Sequence, residues 1–377
     1  MENIALWVWL IVGVLLAALL IQLYYYLAVF SKLALYQASA KGYTDTPEVS
    51  VIIAARNEST NLSKNLPAIL EQEYPNYEVV VVNDGSWDDS IEILEAFERQ
   101  YPHLKIVDYK EQEKYPKGKK FALMLGIKAA KNEVLVFTDA DCLPASKQWL
   151  SLMASNYLVG KQIVLGFSPF TRNNSLLNFI IRFETFTTAM MYFSLALKGK
   201  AYMGVGRNLS YSKSLFFKVK GFASHQHIMS GDDDLFVNET ATATNVAIEI
   251  HPDSFVTTEP KTTWGDWMHQ KARHMSTGKY YKPADKLRLG LFYSSWVAFY
   301  CSLIAVIVLL LPYPDLLKAI AALYGIRLLV QYIIGYMAAK RLKENSLLYF
   351  LPFLDFVYVF YFLVNGTRAL FVKPKVW

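Results

Sequence analysis

Cysteine is nearly missing from this chain: its 377 residues include two, Cys142 and Cys301. Cys301 lies inside an apolar run, which argues against a disulfide framework. Charge is sparse as well, at 19% of residues against 54% hydrophobic ones, with a mean hydropathy of +0.21. That balance is too apolar for an ordinary soluble protein and too charged for a chain embedded in lipid throughout. It points to a soluble domain joined to membrane spans. No basic arm stands out either. The net charge of +6 is modest, and Lys and Arg cluster beside hydrophobic runs, so anionic lipid head groups are the expected neighbours and nucleic acid is not. Internal repeats and low-complexity segments are also lacking.

Ala5 to Phe30 contains no charged residue and exceeds the ~20 residues needed to cross a bilayer. Ala38-Ser39-Ala40 looks like a signal-peptide cleavage site. The residues ahead of the apolar stretch, however, carry Glu2 and no Lys or Arg, and the stretch outruns a usual apolar region of about 7–15 residues. An uncleaved anchor is expected. Lys32 and Lys41 follow it, so the positive-inside rule places the central domain in the cytoplasm of a multi-pass protein of the cell (inner) membrane. Near the other end, Leu289–Leu311 and Leu316–Ala339 read as a hairpin turning at Pro312-Tyr313-Pro314-Asp315, with basic flanks at Lys286/Arg288 and Lys340/Arg341/Lys343. Lys318 and Arg327 weaken the second of these spans, although Lys318 can snorkel. A third run, Ser346–Val372, is interrupted by Pro352 and Asp355. One crossing would put Lys373 and Lys375 outside, against the rule, so a crossing and a re-entrant segment both stay open.

Between Pro47 and Trp264 the pattern changes. Short β-branched runs alternate with amphipathic stretches: Val49–Ala54 then Leu62–Gln72, Val79–Val82 then Ser90–Arg99, Lys105–Val107 then Lys119–Lys131, and finally Val134–Phe137. This is the signature of βαβ units and a mainly parallel sheet. Val79–Val82 and Val134–Phe137 are continuously apolar, as strands buried on both faces should be.

Both of those runs end in acid, at Asn83-Asp84-Gly85-Ser86 and Thr138-Asp139-Ala140-Asp141. In open α/β sheets the ligand crevice lies outside the carboxyl ends of the strands. Asp139 and Asp141 are two apart, so extended backbone aims both carboxylates the same way, and two hard oxygen donors suit Mg2+ or Mn2+. Taken singly, Asp-Gly-Ser is common turn chemistry and Asp-x-Asp a solvated or capping pair. Together, at the ends of two buried strands, they mark a site. Asp232-Asp233-Asp234 supplies three consecutive carboxylates before Leu235. Their repulsion raises the proton affinity of at least one and favours a base, whereas a solvated first turn of a helix is the plainer explanation.

These residues carry a resemblance. Pro47-Glu48-Val49-Ser50-Val51-Ile52-Ile53-Ala54-Ala55-Arg56-Asn57-Glu58, Asn83-Asp84-Gly85-Ser86, Gly118-Lys119-Lys120-Phe121-Ala122-Leu123 and Asp139-Ala140-Asp141 stand in the order seen in family 2 inverting glycosyltransferases. The likeness is especially to membrane-bound members such as the ceramide glucosyltransferase, hyaluronan, chitin and cellulose synthase branches. It covers roughly residues 47 to 280 and the layout of the flanking spans. It implies an α/β, GT-A (Rossmann-like) catalytic domain over residues 46–286, with interfacial helices. A transmembrane anchor and linker would occupy residues 1–45, and a transmembrane region residues 287–377.

The resemblance also implies roles. Ala54, Arg56, Glu58, Asp84, Lys119, Asp139 and Arg273 would meet a UDP- or GDP-sugar, and Asp141 with Asp139 the metal. Registering the family's acidic motif on Asp-Leu makes Asp232 the base; Gly231 stands where Glu is usual, so Asp233 is the alternative. Gln270-Lys271-Ala272-Arg273-His274 resembles Gln-x-x-Arg-Trp, in which Gln270 and Arg273 share a helical face. Gln270, His274 and Asn208, the last within Gly204-Val205-Gly206-Arg207-Asn208-Leu209-Ser210-Tyr211, would meet the acceptor, although a plain Gly-rich turn explains that loop equally well. His274 in place of Trp argues against processive synthesis. Trp264, Trp267, Tyr280 and Tyr281 mixed with Lys279, Lys282 and Lys286 fit a helix at the head-group level; a buried core face would explain the tryptophans but not so many lysines. Leu176–Leu197 fits an interfacial or acceptor-lining helix. The implied reaction is a metal-dependent single displacement onto a lipid-linked or glycan hydroxyl. A processive polysaccharide synthase and a non-catalytic nucleotide-sugar-binding membrane protein are the alternatives.

Overall fold

The computed structural model describes residues 5–37, 46–110 and 118–371; Ala38-Ser39-Ala40, Lys41, Lys373 and Lys375 lie outside them. In chain order the strands are β1 (Val49–Ala55), β2 (Tyr77–Asp84), β3 (Leu104–Tyr109), β4 (Val134–Phe137), β5 (Cys142–Pro144), β6 (Ile163–Gly166), β7 (Leu209–Ser212), β8 (Val246–Glu249) and β9 (Val256–Thr258). The helices are α1 (Leu6–Tyr24), α2 (Ser31–Ala34), α3 (Ser59–Leu70), α4 (Ser90–Glu98), α5 (Lys119–Ala129), α6 (Trp149–Ser155), α7 (Leu176–Leu197), α8 (Lys213–Lys218), α9 (Asp234–Thr240), α10 (Trp264–Met275), α11 (Pro283–Leu309), α12 (Pro314–Arg341) and α13 (Leu351–Phe371).

Seven strands form one mixed sheet in the order β3-β2-β1-β4-β7-β6-β8. β1 to β4 pair in parallel, whereas β7 runs antiparallel to both β4 and β6. β1 is buried along its whole length, because side chains of alternating direction enter two different cores. Val49, Val51 and Ile53 join the core under α3, α4 and α6, while Ile52 and Ala54 join the core that continues through α5 and α7 into the long apolar helices. Helix α5 approaches the sheet closely at Gly126, where a Cβ would come within 2.8 Å of Ile52 and 3.0 Å of Val82. Only glycine permits that contact without displacing the strands. In register, Ala55 lies beside Asn83 and Ile52 beside Phe137, so the chain leaves β1, β2 and β4 along one edge. β5 and β9 pair separately, Cys142 opposite Thr258, and bring the chain near residue 258 back to the Asp141 loop.

α1 continues through a π-helical segment, Tyr25–Phe30, into α2, giving one rod Leu6–Ala34. Among the described residues this rod, α11 and α12 are long and apolar enough to cross a membrane. α11 begins at Pro283 rather than Leu289, because Pro suits the first helical position and Asp285 in its first turn accepts from Asn238 at 3.0 Å. Pro314 and Asp315 likewise open α12 instead of lying in the turn.

Pro352 and Asp355 do not interrupt the last apolar run: Pro352 falls in the first turn of α13, where its missing N–H costs nothing. Asp355 and Arg327, both fully buried, face each other at 2.8 Å. Arg327 also donates to Gln22 at 2.6 Å and Gln331 at 3.1 Å, Gln331 donates to Asp355 at 2.6 Å, and Tyr300 donates to Asp355. The charge that seemed to weaken α12 thus has partners on α1, α11 and α13.

α7 keeps its expected bounds. It packs on the sheet through Phe193 against Phe167, and its buried Arg182 pairs with Glu344 just beyond α12. The aromatic–lysine cluster divides. Trp267 is fully buried with Phe170, Leu177 and Ile181, and Tyr281 is buried on Asp234, while Trp264 and Tyr280 remain exposed. A packed core, not a head-group surface, explains the first two.

Replacing Asp355 with Leu leaves the Arg327 guanidinium buried without its counter-charge and is expected to cost about 3–5 kcal/mol. Thermal unfolding in detergent will show a large loss of melting temperature, and Arg327→Met in the same chain will recover part of it.

Candidate active site

The site is built where β1, β2 and β4 end. The loops after β1 and β2 are stitched together: Trp87 N donates to Asn57 Oδ1 at 3.0 Å, and Asn57 N donates to Ser86 Oγ at 2.9 Å. Asn57 and Gly85 both take left-handed backbone there, with φ of 56° and 62°. Within this knot Arg56 lies 4.0 Å from the buried Asp84 carboxylate, and its guanidinium covers the Trp87 ring at 5.5 Å.

Lys119 opens α5 behind Gly118, whose φ of 107° suits glycine. Its Nζ donates to Asp139 Oδ1 at 2.7 Å and stands 3.6 Å from Asp232 Oδ2. One ammonium therefore joins the loop after β4 to the loop before α9. Burial disfavours the charged lysine, but Asp139 and Asp232 outweigh it and raise its pKa. Burial likewise pushes Asp139 up, and the Lys119 charge and hydrogen bond, helped by Arg207 and Arg273, bring it below the ordinary value. Burial raises Glu58, with Asp141, Asp139 and Asp88 adding to the effect against the hydrogen bond from Asn61.

Asp139, Asp141 and Cys142 offer atoms that all lie within 4.8 Å of one another. Cys142 is buried, and that burial together with the two acids holds its thiol well above the usual range. A neutral thiol is a poor ligand, so the usable donors are carboxylate oxygens, a set that fits Mg2+ or Mn2+. Asp139 already serves Lys119, whereas the Asp141 carboxylate is exposed to the cavity.

Three neighbouring acids take three different roles. Asp233 accepts from Gly206 N at 2.8 Å and from Asp234 N at 2.7 Å, using both oxygens on backbone. Asp234 accepts from Thr277 and, at 2.7 Å, from Tyr281, which makes it an anchor for the segment after α10. Asp232 faces Lys119 across the cavity. Burial, with Asp232 and Asp234 beside it, pushes Asp233 up to about 7.

A cavity of about 880 Å3 joins these groups. Ala54, Glu58, Lys119, Asp139, Asp141, Asp232 and Asp233 line one end, and α10 contributes Gln270, Arg273 and His274. Gln270 Oε1 and Arg273 Nε are buried without a hydrogen-bond partner, so both are available to a ligand. His274 keeps much of its own surface open to the cavity, but the protein packed around it excludes bulk water, and that desolvation, with Lys271 and Arg273 nearby, lowers its pKa well below the usual value. Arg56 and Asp84 lie outside the wall, just past the end of β1 and at the end of β2.

Asn208, expected to meet the acceptor, does not line the cavity. It is fully buried, accepts from Trp149 Nε1 at 3.0 Å and donates to the carbonyls of Phe167 and Ser254, each at 2.9 Å. Two cavity features escaped the sequence reading. Arg207, the residue before Asn208, lines the cavity and is held by Ser168 Oγ at 2.8 Å. Lys271 meets Glu184 of α7 at 2.6 Å. A glutamate inside the apolar Leu176–Leu197 stretch was the available signal for that pair, since a buried charge needs a partner.

Residues 50–218 match the family described as Glycosyl transferase family 2. The chain is similar to Glycosyltransferase AglE of Haloferax volcanii, 34% identical over 190 residues, which cover 50% of this chain and 59% of that protein. It is also similar to Probable glycosyltransferase YdaM of Bacillus subtilis, 26% identical over 63% of this chain and 56% of that protein. The chain thus spans little more than half the length of these relatives. Among solved structures, Mannosyltransferase PcManGT from Pyrobaculum calidifontis, in complex with GDP-Man and Mn2+, superposes with a TM-score of 0.56 at 19% identity. The match covers 93% of this chain and 98% of that one, and the shared fold is GT-A.

Asn208→Ala is expected to lower stability by roughly 1–3 kcal/mol for each buried partner left unpaired, read by thermal melting, with donor affinity unchanged in the folded fraction. Asp233 supplies a pH signature. An acid whose pKa is raised by folding binds a proton that the unfolded chain releases, so stability falls as pH rises from about 4 to about 7. Asp233→Asn should flatten that fall in melting temperature.

Proposed function

We propose that this chain is a membrane-bound glycosyltransferase. It moves a hexosyl group from a UDP- or GDP-sugar to a hydroxyl of a lipid-linked or glycan acceptor in one inverting displacement. The observation that carries this reading is the meeting of Glu58, Asp139, Asp141 and Asp232 in one cavity around Lys119, beside the unbonded Arg273 Nε.

Each residue has a part. Asp84 and Arg56 hold the base or ribose, and Ala54 borders the donor at the end of β1. Arg273 and Lys119 present fixed positive charge to the diphosphate, within a cavity where such charge acts more strongly than in bulk water. Asp141 and Asp139 are the residues that would hold Mg2+ or Mn2+, which when bound stabilises negative charge on the departing diphosphate. Asp232 is the base, because Asp233 has both oxygens committed to backbone N–H groups. The acceptor oxygen bonds to the anomeric carbon as the bond from that carbon to the diphosphate oxygen breaks. The electron pair leaves with the nucleoside diphosphate, and the hydroxyl proton passes to Asp232. Gln270 and His274 border the acceptor half.

The catalytic domain belongs on the cytoplasmic side of the membrane. The C-terminal end of the Leu6–Ala34 rod, the start of α11 and the end of α12 all adjoin it, and they carry Lys32, Lys286, Arg288, Lys340 and Arg341.

The test is release of nucleoside diphosphate by the full chain in detergent with Mn2+ and a panel of nucleotide-sugars, with the anomeric configuration of the product read by NMR. Asp141→Ala should abolish metal-dependent release, and Asp232→Asn should lower kcat by about 10²–10⁴. Full activity in Asp141→Ala would remove the metal assignment, and a retained configuration would remove the single displacement.

A further inference from the structure

The cavity does not stop at the acids. Beyond them it runs between α7, α11 and α13, where Thr188, Ala189, Gly290, Ser294 and Tyr358 line it. Lys286, Gly290 and Ser294 recur every fourth residue and so form one stripe along α11. All three are exposed as well as lining the cavity, so the cavity opens sideways along this stripe. Gly290 keeps the opening clear: a Cβ built there would meet no atom within 4 Å. From Lys286 to Ser294 the stripe is ~12 Å long. It lies on a helix long and apolar enough to cross a membrane, and the exposed Leu287 and Leu291 flank it.

A water-soluble acceptor has no use for an opening edged by leucines on such a helix, whereas an amphiphile matches both ends of it. Hydroxyls of Thr188, Ser294 and Tyr358 and the aromatic face of the tyrosine suit a hydroxylated head group. The leucine edge suits hydrocarbon. We infer that the acceptor is a membrane lipid whose hydroxyl-bearing head group reaches Asp232 through this groove on α11, while its tail stays among the spans. The inference rests on the transferase reading and narrows its acceptor. The head-group oxygen takes the place of the acceptor oxygen in the displacement already written, with its proton passing to Asp232 and the nucleoside diphosphate leaving.

The experiment supplies the full chain, in detergent micelles, with a nucleotide-sugar radiolabelled in the sugar and a chloroform–methanol lipid extract of the source organism. Product is then partitioned between organic and aqueous phases. Label is expected in the organic phase. Gly290→Leu and Ser294→Leu, each filling the groove from a different turn, should lower organic-phase label by at least about tenfold. Affinity for nucleoside diphosphate should match the parent in both, and melting temperatures identify any variant that fails to fold, in which case the other leucine variant decides. Release of nucleoside diphosphate with label confined to the aqueous phase, or parental transfer by a folded leucine variant, overturns the groove and leaves the transferase reading standing. No release from any donor overturns both.

Discussion

Lys119 is the group on which the site depends. Its ammonium stands between Asp139 and Asp232, carboxylates that chain connectivity alone would never bring together and that repel when enclosed. A cation between them converts that repulsion into a reason for two loops to converge. Its position follows from packing. Gly126 lets α5 lie close on β1 and β2, so the start of the helix is carried to the edge where those strands end. The order of causes runs from a missing side chain in the core to a charge placed in the cavity.

The pattern of the chain revealed some of this and hid the rest. β1 to β4 and the helices between them were legible because short apolar or β-branched runs alternate there with amphipathic stretches, and the runs of β2 and β4 each end in acid. β5 to β9 have three or four residues apiece and take their partners from distant chain, so no local rhythm marks them. The acids at the ends of β2 and β4 could be read as a site because strand direction fixes where such residues go. Asn208 could not, since a Gly-rich loop gives no sign of which way its amide faces, and the amide turned inward to serve Trp149. The three successive acids before α9 read as interchangeable candidates. Only the backbone groups around Asp233 and the hydroxyls around Asp234 separate them from Asp232.

Charges within apolar stretches misled in the same way. Arg327 and Asp355 look like flaws in their own helices when each is read alone. They are complementary, fully buried and joined by Gln22, Gln331 and Tyr300. A pair of this kind adds little net stability compared with hydrocarbon, but it penalises any arrangement of the helices that separates the partners.

The contact between Arg182 and Glu344 has a mechanical side. α7 forms a wall of the cavity, and Glu344 follows directly on α12. A tilt of α12 relative to α7 would therefore strain a buried ion pair. Parting its two charges costs about 3–5 kcal/mol, so the end of that long helix and the cavity wall are held as one unit.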